Sequence, residues 1–137
     1  MGLDMYLSGR KFFWTNFEHP ELIRKEDGFE VEEVKLRLGY WRKHPNLHGY
    51  IVEKFAKGID TCQEIELQRF DIEQIIKAIE NDELPVTGGF FFGQSFNTPD
   101  DKSQAIELFK KAIEWLDAKH PRKDTKVSKS VVYQASW

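Results

Sequence analysis

At 137 residues the chain has room for one domain with a sizeable core and little for two. Aromatic residues are abundant at 14%: eleven Phe, four Tyr and four Trp can fill that core, each ring removing a large apolar area from water. A net charge of -3 excludes a general drive toward DNA or an anionic membrane, though not a local basic patch, and no apolar run approaches the roughly 20 residues of a membrane span.

Cys62 is the single cysteine, so no disulfide can form within the chain and a reducing compartment is expected. The opening "MGLDMYLSGR" lacks the apolar stretch of a signal peptide. It begins Met-Gly, but Tyr6 stands where a myristoylation motif requires Ser or Thr. The expectation is a soluble cytoplasmic protein.

In chain order, Leu3, Met5 and Leu7 alternate with Asp4 and Tyr6, which predicts a strand. Ser8-Gly9 can turn the chain, and "KFFW" can return as the second arm of a hairpin. "NFEHPELIRKEDG" reads as a polar connection. "FEVEEVKLRLGYW" is the longest strand signal, but its phase slips. Phe29 and Val31 share one parity, while Val34, Leu36, Leu38 and Tyr40 share the other. A bulge near Glu32-Glu33 would bring both sets to one face.

"HPNLHGYIVEKFAKG" predicts a helix with Pro45 in the first position, Gly58 past the end, and Leu47, Ile51 and Phe55 as its buried stripe. "CQEIELQRF" is a short strand with Ile65 and Leu67 on one side. "DIEQIIKAIEND" predicts a helix opened by a capping box of Asp71 and Gln74, with Ile72, Ile75, Ile76 and Ile79 inward. "TGGFFFG", Thr87 to Gly93, reads as a short strand buried on both sides. A last helix starts at a Thr98 cap with Pro99 in first position. It runs along Ala105, Leu108, Phe109, Ala112, Ile113 and Leu116 and stops at Pro121. The terminal "SVVYQASW" alternates as a strand, with Val131, Tyr133, Ala135 and Trp137 to one side. Strands interspersed with helices predict a single α+β domain over residues 1–137. Its expected form is a mainly antiparallel sheet of about five strands with about three helices on one face.

Three constellations could carry chemistry. In "TGGFFFG" the glycines let a ligand approach the backbone, which makes Gly89, Phe91 and Gly93 candidates; the plain alternative is buried core. "GYWRKHPNLHGY" places Tyr40, Trp41, Arg42, Lys43 and His48 where a strand gives way to a helix. Helix N–H groups and basic side chains there favour an anion, and an aromatic ring can stack on a base. The alternative is Tyr40 and Trp41 in the core, solvated Arg42 and Lys43, and a satisfied, partly buried His48. In "GIDTCQEIE" Cys62, Glu64 and Glu66 would project from one strand face, with Asp60 nearby. A lone cysteine argues against structural zinc, and an inert buried thiol is favoured over a Cys62-His48 nucleophile pair. Asp4, Asp60, Cys62 and Glu64 form a second polar candidate set. No catalytic residue, metal ligand or cofactor is assigned.

The blocks "MGLDMYL", "GYWRK" followed by a helical His, "GIDTCQE", "LPVTGGFFFG" and "YQASW" occur here in that order. Together they make the chain resemble, over nearly its full length, the MGLDMYL-type family of small proteins encoded by bacteriophages and prophages. After the Phe run that family carries an acidic, aromatic stretch, roughly "GSTEYDE"; this chain has "GQSFNTPDDK" instead. The resemblance implies a setting, the host cytoplasm, and not a reaction. It points to a binding protein that sequesters an anionic, nucleotide-like ligand or blocks a host defence factor. The other readings are a small enzyme acting on a nucleotide or phosphoester, with Asp4, Asp60, Glu64 and His48 as its acid–base or metal candidates, and an interaction module without a pocket. Expected partners are an anionic small molecule or a host protein, with a homodimer through the terminal strand as a further form. Nucleic acid and membrane are not expected.

Overall fold

The computed structural model describes residues 2–13, 24–42, 44–85, 99–118 and 127–137. Its elements are β1 (Asp4–Phe13), β2 (Lys25–Glu26), β3 (Phe29–Glu30), β4 (Glu33–Arg42), α1 (Pro45–Phe55), β5 (Ile65–Leu67), α2 (Arg69–Glu80), α3 (Pro99–Asp117) and β6 (Val127–Ser136). The fold is α+β. Four antiparallel strands lie in the order β4-β1-β6-β5, and β2 and β3 form a separate two-stranded ladder. The expected sheet of about five strands is therefore four, beside a small ladder that turns through Asp27 and Gly28, both at positive φ. No helix among the described residues is long and apolar enough to cross a membrane. The "TGGFFFG" strand, the Thr98 cap and the Pro121 stop lie outside the described residues.

β1 does not turn at Ser8-Gly9. It runs straight for ten residues between β4 and β6. Gly9 serves a different purpose: a Cβ there would lie 2.8 Å from the indole of Trp115 on α3. The glycine makes room for a helix ring to settle onto the strand. Gly39 on β4 does the same for Leu108, whose Cδ1 would sit 3.3 Å from an added Cβ. These two glycines let α3 approach β1 and β4 closely.

The bulge expected near Glu32-Glu33 is found further along β4. Leu7 pairs with Gly39 and Ser8 with Arg37, so Leu38 is the extra residue. Before that point Val34 and Leu36 lie opposite Lys11 and Gly9; beyond it Gly39 and Trp41 lie opposite Leu7 and Met5. Side chains alternate along a strand, so the bulge keeps both sets on the helix side. Tyr40 consequently falls on the other face.

One core cluster joins sheet and helices. Leu3, Met5, Leu7, Trp41, Ile65, Leu67, Val131, Tyr133 and Ala135 supply the sheet side. Leu47 and Ile51 come from α1, Ile72, Ile75, Ile76 and Ile79 from α2, and Ala105, Phe109 and Ala112 from α3. α1 starts with Pro45 in its first turn, as its sequence predicts, and ends through Lys57 and Gly58 at positive φ. α2 begins two residues before the expected Asp71 start. Gln68 is the capping position, and Asp71, now inside the first turn, accepts the Gln68 N–H at 2.9 Å. At the other end of α3, Lys129 of β6 donates to the Trp115 carbonyl at 2.8 Å and to that of Ala118, satisfying last-turn carbonyls.

Because the Trp115 ring fills the space above Gly9, Gly9→Val should destabilise the fold by about 1–3 kcal/mol, the usual cost of overpacking. Urea unfolding followed by circular dichroism reads this directly. Unchanged stability would show that α3 does not bear on β1 at this point.

Candidate functional site

The face of the sheet that no described helix covers is built in rungs. The pairing of β4, β1 and β6 aligns Tyr40, Tyr6 and Gln134 in one row. Arg37, Ser8 and Val132 form the next row, and Lys35, Arg10 and Ser130 the third. Glu66 on β5 continues the middle row beyond Val132. Ser8 and Val132 are short and their neighbours long, so the surface dips at the centre. The resulting depression of about 380 Å³ is lined by Tyr6, Ser8, Lys35, Arg37, Val132 and Gln134. That volume falls within the range of small-molecule sites.

Its charges are arranged unequally. Arg10 is committed: it donates to Glu64 and lies 3.4 Å from Glu33. The hydrogen bond between Arg10 and Glu64 raises the Arg10 pKa and holds the Glu64 carboxyl below its usual range. Arg42 stands 3.6 Å from Asp4. Tyr40 also donates to Asp4, at 2.6 Å, which keeps the phenol protonated to a higher pH than usual. Lys35 only reaches Glu64 at 3.8 Å. Arg37 has no carboxylate within salt-bridge distance among the described residues, and its guanidinium lies 5.1 Å above the Tyr6 ring. It is thus a cation held over an aromatic face and without a carboxylate partner among the described residues.

On the other side of the sheet lies a buried polar chain. His48 of α1 is 2% exposed, and both of its ring nitrogens are engaged. Asp60 can only accept, so Nε2–H donates to it at 2.9 Å, and in the neutral ring Nδ1 then accepts the Tyr133 hydroxyl at 2.6 Å. Burial pushes the Tyr133 phenol well up, which keeps it a donor. Trp137 closes the chain by donating Nε1–H to Asp60 at 3.3 Å. These bonds tie α1, the segment after it and β6 together, and they satisfy groups that would be costly to bury alone.

The candidates of the "GYWRK" constellation do not line one pocket. Trp41 is 8% exposed and stacks on Phe109, ring centroids 5.2 Å apart, while Tyr40 is 44% exposed on the opposite face. The indole N–H of Trp41 is buried without a partner among the described residues. Arg42 is exposed, and His48 is a core histidine. At the start of α1, buried His44 uses Nδ1 to accept the Leu47 N–H at 3.4 Å, which occupies one first-turn donor that an anion would need. Burial lowers the His44 pKa, consistent with a neutral, accepting ring. Lys43, Gly89, Phe91 and Gly93 lie outside the described residues.

The second polar set is likewise dispersed. Asp4 meets Tyr40 and Arg42, Glu64 meets Arg10, and Asp60 meets His48. Cys62 is not on the strand; it sits at positive φ before β5, and its carbonyl accepts Gln134 Nε2–H at 2.9 Å. With both nitrogens of His48 in use, neither is left to activate a thiol. Among the described residues no group of three or more His, Cys, Asp or Glu side chains is placed to hold a metal ion.

Tyr6, Ser8, Lys35, Arg37, Val132 and Gln134 escaped the sequence reading. Their signal was the second parity of β1 and β6, in which Tyr6, Ser8 and Arg10, then Ser130, Val132 and Gln134, share the face opposite the core. No family model, curated protein or solved structure matches the chain.

Replacing Tyr133 by Phe leaves Nδ1 of His48 without its donor in a buried setting. The expected cost is about 1–3 kcal/mol of stability, measured by denaturant unfolding. Stability equal to the parent would show that the Tyr133–His48–Asp60 chain does not hold β6 to α1.

Proposed function

We propose that this chain is a binding protein whose sheet depression captures an anionic, nucleotide-like small molecule. The observation that carries this is Arg37: a guanidinium with no carboxylate partner among the described residues, over the Tyr6 ring and at the lining of a depression of about 380 Å³. Arg37 and Lys35 offer only donors, which suit phosphate oxygens. The Tyr6 ring and Val132 offer an apolar floor for a planar ring. Because Arg37 is already oriented by Tyr6, little side-chain freedom is lost when an anion arrives.

Binding is favoured over turnover because the lining, among the described residues, holds no carboxylate, histidine or thiol to act as general base or nucleophile. In the phage setting implied by the resemblance, such a protein would act by sequestering a host nucleotide.

Isothermal titration with adenosine 5′-monophosphate (AMP), adenosine and inorganic phosphate tests the proposal. AMP should bind more tightly than either fragment, and less tightly as salt rises. Arg37→Ala, checked for folding by circular dichroism, should weaken AMP binding roughly 10- to 100-fold, the loss of one charge-assisted contact. Binding unaffected by Arg37→Ala, or no binding of any nucleoside monophosphate, would contradict it.

A further inference from the structure

The same depression has a fixed hydrogen-bonding polarity. On its β4 side the polar groups are Lys35 and Arg37, which can only donate. On its β6 side is Gln134, an amide that in isolation could present either end. Here it cannot. Its partner, at 2.9 Å, is the backbone carbonyl of Cys62, which only accepts, so the NH2 end must face Cys62. Oε1 is the end left over, and Gln134 is part of the lining. The depression therefore carries donors at its β4 wall and the free Oε1 acceptor of Gln134, beside the second hydrogen of that amide, at its β6 wall, with Ser8 and Tyr6 able to do either between them.

The distance between the walls follows from the topology. β4 and β6 flank β1, two strand spacings apart, or about 10 Å. A ligand filling the gap carries an anion at one end and an N–H donor at the other. Inorganic phosphate alone is too small to meet both walls, whereas a nucleoside monophosphate spans such a gap.

We propose that Gln134, locked by the Cys62 carbonyl, makes this site selective for nucleotides whose base presents an exocyclic amine. This rests on the nucleotide-binding reading of the depression and adds which bases it accepts. Deaminating adenine to hypoxanthine, or cytosine to uracil, replaces the amine with a carbonyl at the same ring position. That carbonyl would face Oε1 acceptor to acceptor, which leaves both without a hydrogen and in repulsion.

The test is calorimetric titration of the unmodified protein with AMP, IMP, CMP and UMP. AMP should bind at least about tenfold more tightly than IMP, and CMP more tightly than UMP by a similar factor, as loss of one hydrogen bond implies. N6,N6-dimethyl-AMP, which has no amine hydrogen, should weaken as IMP does; this comparison needs no protein variant. Gln134→Leu should bring the members of each pair to similar affinity while leaving a phosphate-dependent signal. Equal binding of all four nucleotides would overturn the selectivity and leave the binding reading standing. Binding of none would overturn both. Discrimination that persists in Gln134→Leu would assign it to another residue.

Discussion

One extra residue in β4 decides what each face of this sheet can be. Without the bulge at Leu38, Ser8 would pair with Leu38 and Arg10 with Leu36, placing leucines on the face of Ser8 and Tyr6, and Arg37 and Lys35 toward the helices. The bulge reverses the parity midway along the strand. It lets Trp41 and Gly39 face α3, where Trp41 stacks on Phe109 and Gly39 admits Leu108. It also sends Arg37 and Lys35 to the depression. Core packing and the candidate site thus depend on the same irregularity.

The two faces use similar residue types for opposite ends. On the helix side Tyr133, His48 and Asp60 are buried or partly buried and saturate one another, leaving little capacity for a ligand. On the other side the Arg37 guanidinium lies over the Tyr6 ring beside the depression, and Arg37 has no acidic partner among the described residues. A saturated polar chain stiffens the fold, whereas an unsatisfied cation beside an aromatic ring is available for binding. The aromatic richness of the composition divides along this line: Trp41, Phe109 and Tyr133 are buried core, while Tyr40 is exposed on the open face.

Much of the fold was legible because its strongest signals are periodic. The stripes of α1, α2 and α3 follow from burial on one side, as do Val131, Tyr133 and Ala135 of the last strand, although Val132 of the opposite parity is buried too and Trp137 is exposed. Ser8-Gly9 misled because glycine has two uses. The turn dipeptide and the close-approach glycine look alike until Trp115, more than a hundred residues away, is placed above it. That misreading split β1 and hid the row of Tyr6, Ser8 and Arg10. The aromatic-basic cluster around Trp41 drew attention because its residues are adjacent in sequence, but adjacent strand residues point to opposite faces. The depression is assembled from β1, β4 and β6, and only the register of their pairing brings it together.

The most direct measurement of the open-face site is a two-dimensional amide NMR titration of the isotope-labelled protein with AMP. The account predicts shifts concentrated at Tyr6, Ser8, Arg37, Val132 and Gln134, with the amides of His48 and Ile51 in α1 little changed. Shifts centred on His44 to His48 at the start of α1, with the open face unmoved, would contradict it.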